Sequence, residues 1–131
     1  METKNNNKKI LELELKSKNF SIDNLPKHIT AFVNSQAKST TKNNYNIGLM
    51  KFYNYLIDNE TDELNQANIN QTIKGYRKYL QSTKKLASTT IDNYTEIVKT
   101  FTNNYLDLTV KKLKNLNTGK TKKIKYLEIT E

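Results

Sequence analysis

A chain of 131 residues with 35% hydrophobic side chains has enough material for one modest core and too little for two generous domains. The absence of cysteine excludes disulfides, thiolate metal sites and a cysteine nucleophile, and no apolar run approaches the roughly 18–20 residues of a membrane span. A net charge of +9, from 22 basic and 13 acidic residues, favours a polyanionic partner, with nucleic acid ahead of an anionic membrane surface.

In chain order, residues 1–9 are polar and Asn-rich, unlike a signal peptide, and 1–21 are expected to form a flexible segment. Within it, Ile10-Leu11-Glu12-Leu13-Glu14-Leu15 alternates apolar and acidic residues, the period of a short strand. From Asn24 the period turns helical. Asn24 as N-cap, Pro26 in the first turn, and Leu25, Ile29, Phe32 and Val33 on one face predict a helix over 24–36. Tyr45, Leu49, Phe52 and Leu56 predict a second helix over 40–58, capped by Ser39. Asp58, Glu60, Asp62 and Glu63 follow as an acidic knot. It lacks the glycine and terminal glutamate of a calcium loop, so a solvated loop is expected and no metal site.

Asn68 caps a third helix, with Ile69, Ile73, Tyr76 and Leu80 inward, that ends near Ser82. Gly75 inside it costs roughly 1 kcal/mol against alanine, which points to a close helix–helix approach. Ser88 caps a fourth helix over 89–106, with Ile91, Tyr94, Val98, Phe101 and Tyr105 inward; Val110, Leu113 and Leu116 add a further turn or two. Asn117-Thr118-Gly119 then breaks the chain, and 124–129 reads as extended. The expected fold class is all-α: a bundle of four to five helices over 22–116, between extended, flexible termini at 1–21 and 117–131.

Charge is unevenly placed. No Lys or Arg stands between Lys51 and Lys74, whereas 108–127 carries Lys111, Lys112, Lys114, Lys120, Lys122, Lys123 and Lys125 and no acid. A molecule acidic at one end and basic at the other suits docking on phosphates. The composition alone argues less, since Lys, Asn and Ile together are also what an A+T-rich coding sequence yields.

The sharpest feature is an internal repeat. Ser39-Thr40-Thr41-Lys42-Asn43-Asn44-Tyr45 recurs as Ser88-Thr89-Thr90-Ile91-Asp92-Asn93-Tyr94, an offset of 49 residues (39 to 88) that also takes Phe52 to Phe101. Each serine can cap a helix. Each pair of threonines puts hydroxyls in the first turn, beside unbonded N–H groups and the positive end of the helix dipole. A phosphate oxygen fits there, and lysines precede both copies (Lys38; Lys84 and Lys85).

The pattern Ser-x-Thr-x3-Tyr-x6-Phe-x2-Tyr-Leu over 39–56 resembles the second helix of the core-binding (SAM-like) domain of tyrosine recombinases, the phage-integrase family. Leu86-Ala87-Ser88-Thr89-Thr90-Ile91, with Phe101 downstream, is similar to that domain's last helix. Ile69–Leu80 resembles the third, and Lys125-Tyr126-Leu127-Glu128-Ile129-Thr130-Glu131 is similar to the segment that opens the catalytic domain. The resemblance covers residues 22–131. It implies an orthogonal helical bundle forming half of a clamp on double-stranded DNA in integration and recombination, with a catalytic half closing from the opposite face. By position, Ser39, Thr40, Thr41, Lys42, Lys84, Lys85, Ser88, Thr89 and Thr90 would meet phosphates. Asn93 would reach a base or phosphate, and Lys111, Lys112 and Lys114 would lie along the duplex. The parent protein would assemble as a tetramer on DNA, with this chain alone monomeric, cytoplasmic and free of cofactors. Asp92, Glu96 and Lys99 stand where the family often has arginines.

Catalysis in that family uses a tyrosine nucleophile with two arginines, a lysine and histidines. This chain has one arginine, Arg77, and one histidine, His28, so the constellation cannot be assembled and no enzyme activity is expected. The tyrosines fall on buried stripes, and His28 is expected to be an ordinary surface or rim residue. The alternative function is a non-catalytic protein-interaction module that docks through the first helix or the 10–15 segment.

Overall fold

Leucine, glutamate and lysine, all strong helix formers, dominate residues 8–16, and their propensity overrides the alternating pattern. In the computed structural model, which describes residues 2–84 and 86–111 (side chains from Lys8 onward), Glu2–Ser17 is a helix, α1. The strand expected at 10–15 is thereby corrected to a helix. Among the described side chains of α1, Leu11, Glu14 and Leu15, which share a helical face, are half-buried. Lys18, with φ 58°, ends the helix by donating its N–H to the Glu14 carbonyl at 2.7 Å.

The strand lies just beyond. β1 (Asn19–Ser21) pairs antiparallel with β2 (Glu63–Asn65), with Phe20 opposite Leu64. Both of those side chains are fully buried, so this short ribbon is held by the core as much as by its ladder. A single 3-10 turn, Ile22–Asn24, leads into α2 (Leu25–Asn34), with Pro26 in its first turn as expected.

The longer helices follow their apolar stripes. α3 (Ser39–Asp58) buries Leu49, Phe52 and Leu56, and α4 (Ile69–Ser82) buries Ile69, Ile73, Tyr76 and Leu80. α5 (Ser88–Phe101) buries Ile91, Val98 and Phe101. The fourth helix expected to 106 changes winding: Thr102–Leu106 is a π-helical turn, closed by Asp107 at φ 59°. That left-handed residue turns the chain so that Leu108 enters the core, and Val110 does not extend the helix. Leu113, Leu116 and the expected tail at 117–131 lie outside the described residues. The result is the expected all-α bundle with one small ribbon.

Aromatic rings join the layers. Phe32 of α2 stacks on Tyr45 of α3 (5.5 Å between centroids, 10° apart) and meets Phe101 of α5 edge-on at 5.3 Å. The segment after α5 is sewn to α4 and to the turn before it by side-chain amides. Gln66 donates to the Thr109 carbonyl at 2.9 Å and accepts the Thr109 N–H at 2.8 Å, while Asn70 accepts the Lys111 N–H at 2.6 Å.

Candidate nucleic-acid interface

The two repeat copies are the starts of α3 and α5. Ser39 and Ser88 are the first helical residues, and Lys38 and Ala87 hold the extended cap positions, one residue earlier than expected. The first intrahelical bonds are donated by Lys42 to Lys38 and by Ile91 to Ala87, each at 3.0 Å. The N–H groups of Thr40, Thr41, Thr89 and Thr90 therefore stand ahead of the backbone ladder.

α3 and α5 pack antiparallel. Gly48 faces Ile97, and a Cβ at Gly48 would lie 3.0 Å from Ile97 Cδ1. Lys51 Nζ lies 5.6 Å from the Tyr94 ring centroid, whereas Tyr45 and Phe101 both flank Phe32, so residue numbers rise along α3 as they fall along α5. Gly48 and Ile97 are themselves related by the 49-residue offset. Two equivalent helices that run antiparallel and meet at equivalent residues are related by an approximate two-fold axis through that contact.

This arrangement parts the two helix starts. Tyr94 lies level with Lys51, so Ser88 lies level with about residue 57 of α3. The two starts are thus roughly 27 Å apart along the pair, eighteen residues at about 1.5 Å each. Ser39, Thr40, Thr89, Asn93 and Lys84 are exposed; Thr41, Lys42, Ser88 and Thr90 are half-buried. Lys111 is exposed beyond the π turn, whereas Lys85, Lys112 and Lys114 lie outside the described residues.

Between the starts runs a groove of about 520 Å³, lined by Asn44, Tyr45 and Ile47 of α3 and by Thr90, Asn93, Tyr94, Glu96, Ile97 and Thr100 of α5. Of the expected contacts it gathers Thr90 and Asn93. Asn44, the equivalent of Asn93 under the same offset, was not singled out in the sequence although the repeat links the two. Lys51 was also missed, because the buried stripe drew attention from its neighbour: Thr40, Asn44, Ile47, Lys51 and Asn54, at spacings of four, three, four and three, form a second face of α3.

Near the α5 start, Lys51 and Lys84 line a second concavity of about 330 Å³ with Asn54, Asp58 and Tyr79. Lys84 Nζ lies 5.8 Å from the Tyr79 ring centroid. Acid and base are less cleanly separated than the linear sequence implies, since Asp58, where the acidic knot begins, shares this concavity. The knot is exposed, but only Glu60 and Asp62 lie in the expected loop, since Asp58 ends α3 and Glu63 opens β2.

Arg77 lies 3.7 Å from Asp92, so this pair ties α5 to α4. His28 is not a rim residue: it is fully buried, enclosed by Phe20, Tyr105 and Glu14. Its Nε2–H donates to Glu14 Oε1 at 2.8 Å; Glu14 is an acceptor, which leaves Nδ1 to take the Tyr105 hydroxyl at 2.9 Å. Glu14 Oε2 also accepts from the Ser21 N–H and the Asn24 amide, each at 3.1 Å. Burial lowers the His28 pKa, and the Glu14 hydrogen bond and charge partly offset this.

Burial raises the pKa of the Tyr76 phenol, with further contributions from Tyr94 and Tyr79; burial likewise raises Tyr55 and Tyr105. These shifts run opposite to those of an activated nucleophile. Among the described residues, no group of three His, Cys, Asp or Glu side chains could hold a metal ion, and no helix is long and apolar enough to cross a membrane. No protein-family model, no curated protein and no solved structure matches the chain.

Proposed function

We propose that this chain is a non-catalytic module that holds duplex DNA, of the kind that tyrosine recombinases of the integrase type use as half of their clamp. The observation that supports it best is the antiparallel α3/α5 pair, with a Ser-Thr-Thr helix start at each end and exposed polar side chains between. Helix starts attract phosphate through unbonded N–H groups and the dipole, with Lys42 and Lys84 adding charge. Their separation of roughly 27 Å corresponds to about eight base-pair steps along the duplex axis at about 3.4 Å each. Phosphate contacts at both ends would set the register, leaving the middle of the face over the bases. On the family resemblance, a catalytic half would close from the other side of the duplex, and four subunits would assemble on the site.

The test is an amide-shift titration of the chain with a 20-base-pair duplex at low salt, followed by affinity measurements against salt. Thr40–Lys42, Lys84 and Ser88–Thr90 are expected to shift first. Log affinity should fall by about 0.9 per tenfold rise in salt for each phosphate engaged. Shifts confined to residues 58–63, or no shifts at all, would overturn the proposal.

A second reading, docking of a protein partner on α1, draws on Ile10 and Leu13, which are 38% and 58% exposed. Concentration-dependent association that Leu13→Glu abolishes, with no response to DNA, would favour it.

A further inference from the structure

The approximate two-fold axis through Gly48 and Ile97 has a chemical counterpart in the groove. Asn44 and Asn93 are equivalent under the repeat, lie on opposite sides of the axis and are both exposed. Among the described residues neither carboxamide has an intramolecular hydrogen-bond partner. Each is four residues from the axis, so the two are roughly 12 Å apart along the helices at about 1.5 Å per residue. Ile47 lies between them at 47% exposure, an apolar side chain left in the open.

These side chains have a specific complement. A carboxamide presents one acceptor and one donor edge that match N6 and N7 of adenine in the major groove, and an aliphatic side chain suits the thymine methyl group. A DNA duplex carries a local two-fold axis that relates its strands, so a symmetric reader places equivalent residues on opposite strands. We infer that a single copy of this chain reads a short, approximately palindromic stretch of major groove, Asn44 and Asn93 each taking an adenine, one on each strand, about three to five base pairs apart.

The symmetry is imperfect in a defined way. Glu96 occupies the position equivalent to Ile47 and pairs with Lys99 at 3.8 Å. The half-site under Ile47 therefore favours a thymine methyl group beside its adenine, and the half-site under Glu96 does not. This inference rests on the duplex-binding proposal and adds to it the class of sequence read.

The experiment is a selection from a pool of 20-base-pair duplexes with a randomised centre, carried out with wild type, Asn44→Ala and Asn93→Ala. Wild type is expected to enrich two A·T positions in inverted relation. Each variant should lose one of them while keeping the other, with affinity for its selected site about 5- to 100-fold weaker and affinity for random duplex unchanged. Salt-dependent binding without enrichment, or one variant erasing both positions, would overturn the inference and leave duplex binding standing. Absence of binding to any duplex would overturn both.

Discussion

Gly75 of α4 faces Tyr55 of α3 closely enough to measure the fit between the two helices. A Cβ built there would stand 2.5 Å from the Tyr55 hydroxyl oxygen but 3.7 Å from Cζ, so the oxygen alone obstructs it. The ring is 9% exposed and packed on Tyr76 and Tyr79 at 5.5 and 5.0 Å, so withdrawing it from a Cβ gives up part of that packing. Two effects of Gly75→Ala oppose each other. Helix propensity stabilises by about 1 kcal/mol, and overpacking costs about 1–3 kcal/mol. The single variant should therefore lose about 1 kcal/mol. Tyr55→Phe removes the oxygen without breaking a hydrogen bond to any described residue, and should change stability by less than about 0.5 kcal/mol. On that background Gly75→Ala should stabilise by about 0.5–1 kcal/mol, a coupling of about 1.5–2 kcal/mol. Urea unfolding followed by circular dichroism measures all four corners of the cycle. Additivity within about 0.3 kcal/mol, or a stabilised Gly75→Ala single variant, would refute the argument.

Glu14→Ala leaves the buried His28 N–H without its acceptor and should cost about 2–4 kcal/mol in the same unfolding assay; a loss below about 0.5 kcal/mol would show that α1 is held by apolar contact alone. Because the folded-state pKa of His28 lies below its ordinary value of 6.5, the unfolded chain takes up its proton first. This contribution to stability should be complete above pH 6.5 and lost as pH falls through the lowered value, with His28→Gln flattening the dependence in urea midpoints measured between pH 7.5 and 5.5.

The parts of the fold visible in the sequence are those where burial is strictly periodic. Ile69, Ile73, Tyr76 and Leu80 are all fully buried, because a helix against a core must repeat every three to four residues. α1 was obscured since only one side of its last turns touches the body, and an alternating run serves that short contact as well as a helical stripe does. The burial of His28 is not legible in the sequence because its partners are distant along the chain: Glu14 from α1, and Tyr105 from a π turn that no pattern announces. The candidate interface was half legible. Each helix start could be found from its threonines, but their placement at opposite ends of one pair depends on the direction of packing. That direction turns on Gly48 admitting Ile97, a fit between distant residues.

The amides of Gln66 and Asn70 act on the last described residues as a neighbouring strand would, offering Thr109 a donor and an acceptor at once. The chain's heading at Lys111 is therefore set by Asn70 of α4 and by Gln66 in the turn before it. Whatever force reaches the bundle along the backbone at that point is delivered to the helix that also carries Arg77, and through its tie to Asp92 to α5, so the departing chain and the repeat helix share one mechanical frame.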